Sequence, residues 1–396
     1  MYVGTTTEIT SADSLGTVRV AFDARHLQTV ARVRGIGRYS RNLLAAFARR
    51  APRDIEFVLV RLANFPPADP GLLPAHTDLA TRRLRRPELS MLAIDPLALS
   101  IELRGLRPDV YHSTQLSLPA WRPFPAVVTV HDLAPLIWPD HYLRLPYARL
   151  GHAWQYALAK RADAVIAVSE ATKRDVVEHL AIAEERVHVI PEAVDDSFVA
   201  PPREEGRRLA RERFAVADRY VLYVGQFDPR KNIRGLLRAF ARAAERDTGL
   251  RLVIVGDLGK LSSHLRDALA TERVPRERVV VTGFVDDATL AALYAGAECL
   301  LHASLLEGFG LTALESLAAG TPVIGYAGGA VAEVVGDAGL LVPSGDEDAL
   351  AGALFRYLDD PAFAARLAAQ TRARAAAFSW DRAADDTLAI YRGVLR

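Results

Sequence analysis

The chain has one cysteine, few lysines, almost no net charge and no long apolar run, and each shortage removes a class of protein. A single thiol, Cys299, can neither close an internal disulfide nor build a cysteine metal cluster. It lies in the apolar run "CLLHAS" and reads as a buried strand residue, not a nucleophile. Lys and Arg total 49 against 48 Asp and Glu, so the basic excess of a dedicated nucleic-acid binder is missing. No stretch of about eighteen apolar residues is available for a membrane-spanning helix. The opening "MYVGTTTEITSADSLG" lacks the basic start and apolar core of a signal peptide. It reads as a disordered tail over 1–16, and the expected location is the cytoplasm.

What is present is ample material for two cores. At 396 residues the chain exceeds the size at which one core stops growing, and its 50% hydrophobic and 24% charged composition is that of a globular protein. Apolar runs of strand length alternate with helix-period segments throughout. The first half offers "VRVAFDA", "IEFVLVRL", "DVYHS", "AVVTVHD", "AVIAVS" and "VHVIPE". The second offers "YVLYVG", "RLVIVG", "VVVTG", "CLLHAS", "PVIGY" and "GLLVP". Most are apolar on both faces, as parallel strands covered by helices are, so the predicted class is α/β with two doubly wound domains. The expected division is 17–198, 199–376 and a terminal amphipathic helix, 377–396, packing back across the junction. In such sheets the loops at the strand carboxyl ends form the ligand crevice.

Several motifs fall at those ends. "EGFGLTALESLAAGTPVIGY" (307–326) carries Glu307 and Glu315 around a Gly-Phe-Gly turn. Thr312 and Glu315 have the spacing of a capping box, a complete structural reading of Glu315. Glu307 has no comparable structural role, and the helix starting near Leu311 points its N–H groups into the crevice, where they attract phosphate. A glycosidase pair is disfavoured, because two glutamates on one loop and helix do not flank a sugar bond. In "VGQFDPRKN" (224–232), Arg230 and Lys231 stand at a helix start, where cations oppose the helix dipole unless an anion binds. "ARVRGIGRYSRNLL" (31–44) places Gly35 and Gly37 before a helix, which serves a phosphate approach or an ordinary tight turn. "VVTVHDLAPL" (127–136) ends a strand in His131 and Asp132; without a third ligand at metal spacing, His131 is a substrate contact or a satisfied core histidine. "GGAVAEVV" (328–335) reads as a tight turn and a helix start capped by Glu333, and "VTGFVDD" (281–287) as a loop whose exposed backbone meets a base or nothing.

In this order and at these strand ends, the motifs resemble the retaining glycosyltransferases of family 4, which have the GT-B fold of two Rossmann-like domains facing across a cleft. The resemblance covers nearly the whole chain after the tail. It rests on "RGIGRY", "VHDLAPL", "AVSEATKRDV", "VGQFDPRKN", "TGFVDD", "EGFGLTALESLAAGTPVI" and "GDAGLLV". It implies a metal-independent hexosyltransferase, without a cofactor, acting on a nucleotide-diphosphate sugar and retaining anomeric configuration. Carried across, Glu307 contacts the donor sugar, His131 lies beside it, and Glu315 holds the ribose. Arg230 and Lys231 neutralise the diphosphate, helped by N–H groups around Gly310, Leu311 and Thr312. The Gly35–Gly37 loop approaches phosphate and acceptor, Gly225 ends the strand of the diphosphate loop, and backbone at Phe284 and Val285 meets the base. Many relatives carry Arg directly after that glycine, where this chain has Gln226. "GIGRY" favours mannose as the sugar. The acceptor is a glycan, a lipid-linked molecule or a small molecule, and "RRLRRPE" (82–88) is either a peripheral contact with an anionic lipid surface or a solvated segment. A sugar-nucleotide epimerase of the same fold and a non-catalytic nucleotide-sugar-binding protein are the competing readings. A glycogen or starch synthase-like role is disfavoured by length.

Overall fold

The structure is a computed structural model that describes residues 17–33, 35–63, 76–81, 94–216, 219–226, 228–256 and 262–396. The expected tail and "RRLRRPE" lie outside the described residues. Two parallel sheets carry the chain. The first comprises β1 (Val18–Asp23), β2 (Ile55–Leu62), β3 (His76–Thr81), β4 (Val110–Ser113), β5 (Ala126–Val130), β6 (Ala164–Ala167) and β7 (Val187–Val189), in the order β3-β2-β1-β4-β5-β6-β7. The second comprises β8 (Tyr220–Val224), β9 (Arg251–Val255), β10 (Val279–Gly283), β11 (Leu300–His302), β12 (Val323–Tyr326) and β13 (Gly339–Val342), in the order β10-β9-β8-β11-β12-β13. Every pairing is parallel, and the central strands β4, β5, β6, β11 and β12 are buried throughout, as strands covered on both faces must be. The α/β class with two Rossmann-like domains is therefore observed. β3, "HTDLAT", was not expected: it is a polar edge strand recruited by pairing with β2, not by its own pattern.

The junction between the sheets is closely packed. One apolar cluster runs from Phe22, Phe47 and Phe57 through Trp380 and Tyr391 to Phe309 and Leu314. The helix Trp380–Gly393 follows the second sheet in sequence but lies on the helix Gly35–Arg50 of the first. Arg49 and Arg50 bond Asp381 and Asp385, and Arg392 bonds Asp54 at 2.7 Å. Tyr391 buries its hydroxyl 2.5 Å from His112 Nδ1, and His112 Nε2 meets Thr129 Oγ1 at 2.9 Å.

The tightest approach lies elsewhere. A Cβ on Gly308 would sit 1.7 Å from the carbonyl oxygen of His131. From the other side Ser169 Oγ and Thr172 Oγ1 donate to the Gly308 carbonyl at 2.6 and 3.0 Å. Glu333 does not cap its own helix, as the sequence suggested. Its carboxylate accepts from the N–H groups of Glu170 and Ala171 at 2.8 and 2.7 Å, at the start of the helix Glu170–Leu180 in the first domain. A carboxylate there is favoured by the free N–H groups and the dipole of that helix, and nothing local encodes the choice.

Two outcomes follow from this junction. Gly308→Ala should push the domains apart at His131 and cost about 1–3 kcal/mol as an overpacked contact, read as a lower melting temperature and a larger scattering radius. The second concerns His112. Burial holds its imidazole down to about 3 from the ordinary 6.5. As pH falls below 6.5 the unfolded chain takes up a proton that the folded chain refuses until about 3, so stability drops across that window. The slope contributed is about 1.4 kcal/mol per pH unit. His112→Gln should flatten this dependence in urea-unfolding midpoints measured from neutral to acid pH.

Candidate active site

The carboxyl ends of both sheets meet at the junction and bring most of the expected residues together. His131 and Asp132 follow β5, Arg230 and Lys231 form a short turn after β8, and Glu307 follows β11. The turn is built by Asp228, whose side chain accepts from Arg230 N, and by Asn232, which adopts φ 46° and caps the helix Ile233–Arg246 through Gly235 N. Leu305 N donates to the Arg230 carbonyl at 2.7 Å and ties the two loops together. Gln226 is exposed and makes its contacts through its carbonyl, which accepts from Tyr223 Oη and Asp228 N. Phe227 lies outside the described residues.

The charges are paired. Lys231 Nζ is 2.5 Å from Glu307 Oε1, and His302 Nε2 lies 3.5 Å from the same oxygen. Burial opposes ionisation of Glu307, yet Lys231, His302 and Arg230 hold its carboxyl well below the usual carboxylate range. Glu307 therefore has a structural role that its sequence context did not reveal. Its backbone carbonyl also accepts from Ala330 N at 3.0 Å. Arg230 Nη1 meets Asp132 Oδ2 at 2.5 Å, across the junction, and its buried Nε lies 3.7 Å from Asp228 Oδ1 without a hydrogen bond. Asp132 thus serves Arg230 and not His131. His131 Nδ1 faces Glu192 Oε1 at 2.9 Å, and the Tyr39 ring meets the imidazole edge-on at 4.8 Å. The buried Nε2 on the other side of the ring has no hydrogen-bond partner.

The helix Leu311–Ala318 begins differently from the expected capping box. Gly310 is its N-cap, at φ 99°, and no side chain caps it. Thr312 is inside the helix, and none of the hydrogen bonds takes up the N–H groups of Leu311 and Thr312. Those groups remain available to an anion. Glu315 is buried against two other partners: Arg38 Nη1 from the first domain at 2.6 Å and the Tyr294 hydroxyl at 3.0 Å. Burial lifts the Glu315 carboxyl above its ordinary value, against the pull of Arg38 and Tyr294. Arg38 also reaches Asp287 Oδ1 at 2.5 Å, beside the loop of Phe284 and Val285. Phe284 is 72% exposed and Gly283, at φ 74°, faces open space.

The glycines separate. Gly35 opens its helix with nothing within 4 Å of a Cβ, whereas a Cβ on Gly37 would lie 2.3 Å from the Ala31 carbonyl. The chain's own turn thus requires a glycine at 37. Gly225 donates to the Val255 carbonyl, and its own carbonyl oxygen would lie 2.1 Å from a Cβ on Gly256. Arg38, Glu192, Asp132 as a partner of Arg230, and the buried Asp23–Arg25 pair at the end of β1 escaped the sequence reading. Arg38 sits inside "GIGRY", between Gly37 and Tyr39, with no local partner in the motif. Among the described residues no group of three or more His, Cys, Asp or Glu side chains could hold a metal ion.

Comparison with known proteins agrees with this geometry. Residues 33–198 match the family described as Glycosyltransferase Family 4, and residues 207–374 match Glycosyl transferases group 1. O-antigen chain mannosyltransferase B of Escherichia coli is 29% identical over 373 residues, covering 90% of this chain and 96% of its own. Sucrose-phosphate synthase of Thermosynechococcus elongatus superposes with a TM-score of 0.77 at 24% identity, covering 95% of this chain and 99% of the other. Anabaena HepE, solved in complex with UDP-glucose, superposes with a TM-score of 0.69 at 19% identity, covering 94% and 99%. With two matches that between them take in most of both domains, and with paired parallel sheets meeting at a junction of this kind, the chain belongs to the family 4 glycosyltransferases of GT-B fold and is a glycosyltransferase.

Proposed function

We propose that the chain transfers a hexosyl group, with mannose the favoured sugar, from a nucleotide-diphosphate donor to a glycan, lipid-linked or small-molecule acceptor, retaining anomeric configuration and needing no metal. One observation carries the reading: Glu307 stands on the loop leading into the uncapped start of the helix Leu311–Ala318, paired there with Lys231 from the turn after β8, and Arg230 is tied to the same loop. Cations and free N–H groups suit a diphosphate, and a buried carboxylate suits sugar hydroxyls. The name of the Escherichia coli relative supports mannose, and UDP-glucose in HepE supports a nucleotide-sugar donor.

In this proposal Lys231 and the Nε of Arg230, which makes no hydrogen bond within the chain, meet the diphosphate together with the N–H groups of Leu311 and Thr312. As the anomeric C–O bond breaks, negative charge gathers on the leaving phosphate, and these fixed donors stabilise it. The acceptor hydroxyl attacks the anomeric carbon from the same face and passes its proton to a departing phosphate oxygen. Glu307, kept ionised by Lys231, accepts hydroxyls of the sugar, and His131 Nε2 meets another. Glu315 receives the ribose hydroxyls on lone pairs that Arg38 and Tyr294 leave open, and Phe284 with Val285 borders the base. Gly35, open to solvent, is the glycine left for phosphate or acceptor approach. The location expected for such donors is the cytoplasm.

A panel of nucleotide sugars scored by thermal shift and by slow donor hydrolysis tests the donor class, since a bound donor raises the melting temperature. Glu307→Gln should keep donor binding and lower transfer by about a hundredfold or more, whereas unimpaired transfer removes its role. Because Glu307 also neutralises Lys231, a melting curve for Glu307→Gln accompanies the rate.

The Arg38–Glu315 pair gives a second outcome. Without Arg38, Glu315 loses the cation that opposes its burial and takes a proton at higher pH. Arg38→Gln should therefore weaken nucleotide binding about tenfold at neutral pH and move the acid limit of binding upward. A glutamate serving only its own helix would leave that profile where it is.

A further inference from the structure

We propose that Tyr142, from the first domain, keeps the Arg230 guanidinium free for the donor's phosphates by occupying the carboxylate of Asp228. This rests on the reading that Arg230 meets a diphosphate. A carboxylate beside a cation meant for phosphate competes for that cation. Asp228 has to stand there, because its side chain caps the short turn Pro229–Lys231, accepting from Arg230 N at 3.1 Å. The same oxygen, Oδ1, lies 3.7 Å from Arg230 Nε, just beyond hydrogen-bond reach. A third group is already at that oxygen: the Tyr142 hydroxyl donates to Oδ1. One carboxylate oxygen offers two lone-pair positions. The Arg230 N–H and the Tyr142 hydroxyl take both, and the buried Nε of Arg230 is left without a hydrogen bond.

The placement of Tyr142 makes this a contact between domains. It closes the short helix Pro139–Tyr142, on the segment that leaves β5 through His131 and Asp132. Burial, and next the bond to Asp228, push its phenol above the ordinary value, so the hydroxyl keeps the proton it donates. The same segment holds the guanidinium at its other end, where Asp132 Oδ2 meets Nη1 at 2.5 Å. Asp132 is itself fixed, its Oδ1 accepting from Ala134 N at 3.0 Å. The first domain therefore grips the turn at two points: Asp132 directs the guanidinium, and Tyr142 withholds Asp228 from it. With the domains apart both grips are lost, and Asp228, on the same turn, can take Nε. Arg230 is thus open to phosphate only while the first domain is in place. Tyr142 is a positioning residue, acting through Asp228 and Arg230 without touching the donor.

Isothermal titration of the full chain with GDP and with UDP reads the diphosphate site. Tyr142→Phe keeps the ring and removes the hydroxyl. It should weaken binding of the nucleotide at least about tenfold, in protein shown to be folded by its melting curve. In Asp228→Asn the amide oxygen still caps the turn but has little hold on a guanidinium. In that background Tyr142→Phe should cost no more than about twofold, a coupling that a double-mutant cycle isolates. A merely structural role for Tyr142 gives the same loss in both backgrounds, and that result would overturn the proposal. Equal binding by the parent and Tyr142→Phe chains would overturn it as well, and would leave the diphosphate role of Arg230 standing. Failure of the parent chain to bind either nucleotide would remove that role, and the proposal with it. If Tyr142→Phe does not fold, Asp228→Asn alone decides. It should bind nucleotide at least as tightly as the parent, and weaker binding by the folded variant overturns the proposal.

Discussion

No side chain fits between Gly308 and the carbonyl of His131, and the architecture of the site depends on that missing volume. The contact lets the end of β5 touch the loop after β11, so groups from two sheets share one space. Ser169 and Thr172 hold the same glycine from its carbonyl side, and Glu333 fixes the helix that carries Thr172. Each of these bonds crosses from one domain to the other. Neither domain alone contains the arrangement: Arg230 needs Asp132 from the first, and Glu315 needs Arg38.

The two glutamates that share a motif live in different electrostatic surroundings. Both are buried, which disfavours charge in each case. Around Glu307 a lysine, a histidine and an arginine overcome that penalty, and its carboxyl falls well below the ordinary range. Around Glu315 one guanidinium and one hydroxyl do not overcome it, and the carboxyl rises. The guanidinium comes from the opposite domain, so the charge state of Glu315 reports on how the domains sit together. Nothing of the kind applies to Glu307, whose lysine comes from its own domain.

The sheets were legible because buried parallel strands leave apolar runs of strand length, and twelve such runs fall on or across observed strands. β3 was not, since an edge strand can be polar and draw its order from a neighbour. The site was legible as residue types and hidden as partnerships. Thr312 and Glu315 have capping-box spacing, but a glycine at positive φ started the helix two residues earlier and freed Glu315 for Arg38. Glu333 looked local for the same reason. Spacing within a helix is visible in one sequence, whereas a carboxylate reaching a helix start more than 150 residues away is not. For Gly37 the sequence left a phosphate approach and a tight turn equally open, and the close contact with Ala31 that fits the turn has no local signature.

The helix Trp380–Gly393 has a consequence for how the chain is assembled. His112 and Phe47 of the first domain are buried against Tyr391, which the chain supplies only after the whole second sheet. A nascent first domain would therefore present this seam to water, with His112 free to take a proton, throughout synthesis of the second domain. Domain-by-domain folding from the amino terminus is the usual order. Here the first domain to be made is the last to be finished.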